Sequence, residues 1–137
     1  MRRRVNNFVN FALDRLKHSH RDEELDEAKQ NLETWLGDIA NLTSVDETAA
    51  QRLSVTINDP VYKIQVLDDS LTFTFSRKNI EVSYLSNDGE NNSEFDTIVY
   101  HRGNLVSEKF EIIFSDILFE NYLDWLRRTL RTFVEDL

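Results

Sequence analysis

His18, Ser19 and His20, followed by Asp22, Glu23 and Glu24, come closer than any other cluster in this chain to the residue types of a chemical site. Two imidazoles and a carboxylate hold zinc or a related divalent ion where the backbone brings them together. The spacing works against that here. A helix offers two histidines to one metal from positions i and i+4, whereas these are two residues apart and flank what reads as a junction between helices. No metal and no cofactor is assigned.

Other chemistries find fewer of their parts. The chain of 137 residues has no cysteine, which removes disulfides, thiolate nucleophiles and thiolate metal sites together and fits a reducing, cytoplasmic setting. No serine stands in a nucleophile-elbow context, and with three glycines a backbone-lined phosphate cradle is not expected. The carboxylate pairs Asp68 with Asp69 and Asp88 with Glu90 fall in predicted turns, where solvation gives no reason for acid or base work. His101, with Tyr62, Tyr84 and Tyr100, is the one set that could line a small-molecule pocket between sheet and helices. The competing reading places these rings at the core boundary with their polar tips in water. The expectation is a protein that is not an enzyme.

Charge is the more informative property. The net charge is −9, so phosphate backbones and anionic lipid repel the domain as a whole, and no direct nucleic-acid partner is expected. The charge is also segregated. Residues 1–20 carry five basic and one acidic side chain, +4 net, while residues 21–47 carry two basic and nine acidic, −7 net. The acidic patch of Asp22, Glu23, Glu24, Asp26, Glu27 and Glu33 is either a solvated face or a docking surface for a basic protein. The basic segment, with Arg2, Arg3, Arg4, Arg15 and Lys17 around Phe8 and Phe11, permits membrane-surface or nucleic-acid contact. The simpler account packs this helix in the core, with its arginines neutralising the acidic helix beside it.

The elements that must position these groups follow from hydrophobic period. Val5, Phe8, Val9, Ala12, Leu13 and Leu16 recur at helical spacing over residues 3–17. Ser19 with Asp22 reads as an N-cap opening a second helix, whose stripe is Leu25, Ala28, Leu32, Trp35, Leu36 and Ile39. Ser44 with Glu47 suggests one more short turn through Ala50.

Strand alternation then begins. Its sets are Leu53, Val55 and Ile57; Tyr62, Ile64 and Val66; Leu71, Phe73 and Phe75; Ile80, Val82 and Tyr84; Phe95, Ile98 and Tyr100; and Phe110, Ile112 and Phe114. Turns are expected at 58–60, 68–70, 76–79 and 103–104, with an exposed polar loop at 86–93. Ser115 and Asp116 cap a last helix striped by Phe119, Tyr122, Leu123, Leu126, Leu130, Phe133, Val134 and Leu137, with Arg127, Arg128 and Arg131 outside.

The sum is a single α+β domain over residues 1–137: two N-terminal helices, an antiparallel meander of about six strands, and a long C-terminal helix on one sheet face. The sheet's other face carries Lys63, Gln65, Thr72, Thr74, Glu81 and Ser83 and should be wet or covered by a partner. No apolar run approaches the length of a bilayer span, so no integral membrane association is expected. The functional expectation is a small protein-binding module acting through Glu23, Glu24, Asp26, Glu27 and Glu33, most concretely an immunity protein, antitoxin or other protein inhibitor. The alternatives are a small-molecule-binding or enzymatic domain using His101 and the tyrosines, and a peripheral membrane or nucleic-acid adaptor using the basic N-terminus. Unpaired strand edges and a half-covered sheet would also allow a homodimer.

Overall fold

A computed structural model describes residues 2–45, 52–86 and 92–135. Two long helices and six strands are present among them. They are α1 (Arg2–Thr43), β1 (Leu53–Asn58), β2 (Val61–Val66), β3 (Asp69–Phe75), β4 (Asn79–Leu85), β5 (Asn92–His101), β6 (Asn104–Ser107) and α2 (Asp116–Glu135). The strands pair antiparallel in sequence order, β1 to β6, the arrangement that short connections favour. The α+β class and the meander are as the alternation implies.

Each strand sends one set of side chains to the helices. Tyr62 and Ile64 of β2, Leu71, Phe73 and Phe75 of β3, and Ile80 and Val82 of β4 are buried in one core with Leu25, Leu32 and Leu36 of α1 and Leu118, Phe119, Tyr122 and Leu126 of α2. Trp35 ties the helices together, its ring 5.6 Å from Phe114 and 5.1 Å from Phe119. The side chains between the core positions, from Lys63 and Gln65 to Glu81 and Ser83, face away from the helices and are half-buried or exposed.

Three features depart from the pattern read in the sequence. The first is the N-terminus, where one unbroken helix of 42 residues replaces two helices divided at Ser19. No proline or glycine interrupts residues 2–36, and a single serine costs a helix interior only a few tenths of a kcal/mol. His20 also lies 3.9 Å from Glu23 and 3.8 Å from Glu24 on the following turn, spacings that support a continuous helix. The short turn expected through Ala50 lies largely outside the described residues.

The second concerns the sixth strand. It is Asn104–Ser107, and residues 110–114 form an irregular segment with a single ladder bridge to the sheet, between Val106 and Ile113. Phe110, Ile112 and Phe114 still pack against the core, so alternation marked the apolar residues correctly and their backbone wrongly. The tight turn before β6 is Arg102 and Gly103, both at positive φ (52° and 88°), the backbone sign that a two-residue type I′ hairpin demands.

The third is the β2–β3 connection, which is Leu67 and Asp68 rather than residues 68–70. Asp69 and Ser70 belong to β3 and are buried. Ser76 makes the next turn as expected, its Oγ accepting the backbone N–H of Lys78 at 3.2 Å and of Asn79 at 3.1 Å. Ser115 likewise caps α2, its Oγ accepting the N–H of Leu118 at 3.4 Å. Of the polar loop, residues 87–91, including Asp88 and Glu90, lie outside the described residues.

Leu67 sits in the left-handed region, at φ 56°, with its side chain 58% exposed. A branched aliphatic residue is strained there while asparagine is tolerated. Leu67→Asn should therefore stabilise the fold by about 1 kcal/mol, seen as a rise of several degrees in Tm in a thermal melt.

Candidate functional site

A helix has one phase, and α1 carries two apolar stripes. Leu16 and Leu25 are nine residues apart, about two and a half turns, and Val5, Val9 and Ala12 precede Leu32, Leu36 and Ile39 by 27 residues, about seven and a half turns. Each pair points to opposite sides. The second stripe faces the sheet, so a continuous helix cannot turn the first onto the same core. Val5, Phe8, Val9, Leu13 and Leu16 accordingly keep between 44% and 70% of their surface in water, and Phe11 keeps 65%. The expected packing of this segment into the core does not occur.

Where that apolar line ends, the same outward face becomes acidic. Glu23, Asp26, Glu27 and Glu33 are exposed and Glu24 is partly so, opposite the buried Leu25, Ala28 and Leu32. Glu23, Asp26 and Glu27 therefore share the free side of one rigid rod, while Glu24 lies 3.8 Å from His20 and Glu33 3.5 Å from the Tyr62 hydroxyl, on its two flanks. Two grooves meet there. One, of about 480 Å³, lies between α1 and the β3–β4 turn, with Asp22, Asp26, Lys29 and Arg77 among its lining; the other runs beside Arg15, Leu16, Ser19, Asp22 and Asp26. Lys29 bridges to Asp59 at 3.0 Å, which fastens α1 to the β1–β2 turn and offsets part of the local negative charge.

His20 marks the place where the helix joins the domain. Its Nε2 is 3.2 Å from the carbonyl oxygen of Gly103, and its ring meets Tyr100 edge-on at 5.9 Å. This histidine fastens the helix to the β5–β6 hairpin. Among the described residues no group of three or more metal-ligating side chains converges.

The four residues of the small-molecule alternative are not brought around one space. Tyr62 is buried on β2, its hydroxyl 3.5 Å from Glu33 Oε1. Tyr84 lies two strands away, donating to Asp69 Oδ2 at 3.0 Å. Tyr100 is at the far end of β5 beside His20, and the adjacent His101 is exposed.

The cluster that residue-by-residue reading missed is built on Asp96. Between β4 and β5 the register slips at Val82 and Ser83, so that Val82 pairs with Asp96 and Ser83 with Glu94, leaving Phe95 as the extra residue of a bulge. The bulge turns both Phe95 and Asp96 inward. Asp96 is only 4% exposed. Its Oδ2 accepts the hydroxyls of Ser107 and Tyr122, and its Oδ1 accepts the backbone N–H groups of Thr97 at 2.7 Å and Lys109 at 3.0 Å. Ser107 Oγ in turn accepts the N–H of Phe110 at 3.0 Å. A buried carboxylate needs such a set of donors. The cluster pins α2, β5, β6 and the 108–110 turn together, with Ser107 and Tyr122 fully buried in it. The signal in the sequence was the spacing of Phe95 and Ile98, three apart, which an unbroken strand cannot turn to one face.

Comparison with protein-family models, with curated proteins and with solved structures finds no match to this chain. No helix among the described residues is long and apolar enough to cross a membrane.

Burial and the Asp96 carboxylate hold the Tyr122 phenol far above its ordinary pKa, and burial, with Asp59 and Glu33, raises that of Tyr62 to about 12. The folded state thus favours neutral phenols, which ionise near pH 10 in the unfolded chain. Their contribution is complete below about pH 10 and is lost as the pH rises towards 12. Urea unfolding followed between these limits should show stability falling with pH. Tyr62→Phe should flatten the slope, and Tyr122→Phe should flatten it while lowering stability at pH 7 by about 1–3 kcal/mol, since Asp96 loses a buried donor.

Proposed function

We propose that this protein is a small protein-binding module whose partner docks on the outward face of α1, and that Glu23, Glu24, Asp26, Glu27 and Glu33 set the preference for a basic surface. The observation that carries this reading is the exposure of Glu23, Asp26 and Glu27, flanked by Glu24 and Glu33, along the free side of a helix whose opposite side is locked into the core by Leu25, Ala28, Leu32 and Leu36. A rod fixed in this way presents its charges without loss of side-chain anchoring or rearrangement of the domain, which lowers the ordering cost of association. Complementary charge speeds encounter and selects against acidic partners.

An inhibitor, immunity protein or antitoxin is the most concrete form of such a module. An acidic helix can occupy a basic cleft on another protein without any catalytic group of its own, and the closed core with its fully bonded Asp96 is consistent with a protein that works by its surface. The polar face of the sheet, with Lys63, Thr74 and Glu81, offers a second surface of mixed charge.

The test is affinity capture from a lysate of the source organism, comparing the wild type with the variant in which Glu23, Glu24, Asp26 and Glu27 are all changed to glutamine. Because these side chains lie outside the core, the variant should melt within a few degrees of the wild type. A basic protein retained by the wild type and lost, or weakened at least tenfold, in the variant is the expected result. An unchanged set of retained proteins would remove the acidic face from the function.

A further inference from the structure

We infer that the first half of α1 lies along an anionic lipid surface. On the helix, Arg4, Phe8, Phe11 and Arg15 recur at spacings of four, three and four residues, and Val5, Val9, Ala12 and Leu16 form the adjacent row at the same spacings. Two phenylalanines are thus bracketed by arginines beside an aliphatic row. All of these side chains except Ala12 are exposed, Phe8 by 70% and Phe11 by 65%. Apolar rows with basic side chains at their border suit a helix in a membrane interface, where rings and aliphatic groups enter the acyl boundary and arginine stems reach back to the headgroups.

Charge and geometry agree on this occupant. Residues 1–20 hold five of the chain's 16 basic side chains and one of its 25 acidic ones, so the segment attracts an anionic surface and repels a second copy of itself. The aliphatic row lies about half a turn from Leu32 and Leu36, which meet the core, so a flat surface can reach it without meeting the sheet. His20, one turn past Leu16, holds the tip of the β5–β6 hairpin through Gly103. The exposed Arg102 of that tip extends the basic surface beyond the helix. A nucleic-acid backbone would engage the arginines and leave both phenylalanines and the aliphatic row in water, whereas lipid covers the two together.

The contact ends where the acidic residues begin. Glu23 and Glu27 follow Val5 and Val9 by 18 residues, five whole turns, and so continue the same line along the helix. Anionic headgroups repel them, and the helix meets the surface with its first half alone. The lipid contact and the acidic docking face of the proposed function are therefore separable.

Sedimentation with vesicles tests this. The wild type should bind vesicles of phosphatidylserine and phosphatidylcholine, should bind pure phosphatidylcholine at least about tenfold more weakly, and should be released by salt. Phe8→Gln with Phe11→Gln, and separately Arg4→Gln with Arg15→Gln, should each weaken binding at least about tenfold. All four positions are exposed, so both variants should keep the fold, as circular dichroism will verify. In Phe8→Trp, lipid brominated on its acyl chains should quench fluorescence beyond any loss seen in the wild type. The variant with Glu23, Glu24, Asp26 and Glu27 changed to glutamine, expected to lose its basic protein partner, should bind these vesicles at least as tightly as the wild type, which separates this inference from the proposed function. A wild type that stays in solution with anionic vesicles at low salt would overturn the inference, as would binding that survives the loss of both phenylalanines or fails in the glutamine variant of the acidic face. So would a dimer that depends on Phe8 and Phe11 and ignores vesicles, which would assign the rows to a second copy.

Discussion

A straight helix can give only one side to a sheet, and most of what distinguishes this protein follows from that constraint acting on α1. Its two stripes are half a turn out of phase, so continuity of the helix and burial of both stripes exclude each other. The structure keeps continuity. Breaking the helix near Ser19 would forfeit backbone hydrogen bonds and expose polar groups at two new termini, while the benefit would be burial of a stripe for which the sheet has little room. Leu25, Leu32 and Leu36 already cover one part of the sheet, and α2 covers the rest with Leu118, Phe119, Tyr122 and Leu126. The first half of α1 is thereby left outside the core, with Val5, Phe8, Val9, Leu13 and Leu16 exposed.

The rest of the core is closed by a polar device. A bulge in β5 makes room for Phe95, whose ring lies 4.2 Å from Trp125 and 5.8 Å from Tyr122, but it also turns Asp96 into the same space. An unpaired carboxylate there would cost several kcal/mol. Two hydroxyls and two backbone amides from four different parts of the chain remove that cost, and because they come from separate elements they also define where α2 and the 108–110 turn sit. Asp69 is treated less generously: one oxygen accepts from Tyr84 and the other is buried without a partner.

The alternating stretches from Leu53 to Tyr84 were legible as strands because each is buried on one face and wet on the other, and period two then survives in the sequence. The C-terminal helix was legible for the corresponding reason, with Ser115 at its cap. What could not be read was where two signals compete. Ser19 with Asp22 has the form of a helix start, yet the same residues are compatible with a helix interior, and only packing decides between them. Phe110 and Phe114 alternate like a strand although their backbone has one bridge to the sheet. The burial of Asp96 was not legible, since it depends on Ser107 and Tyr122, which are distant in sequence and brought close only by the fold. The acidic residues of α1 were placed correctly on its outer side, because a run so rich in carboxylates has no affordable place in a core.

The segregation of charge along α1 gains a physical rationale from the phase argument. With the first stripe exposed, an uncharged helix of this length would associate through any apolar surface in any register. The basic side chains of residues 1–20, +4 net, oppose such association, since any second copy laid along the stripe brings like charge to like. The carboxylates beyond them, held off the core by Leu25 and Leu32, keep the second half of the helix in water and available. One stretch of sequence therefore carries an apolar half and an acidic half on a single helix, and the sheet and α2 hold the second half in place.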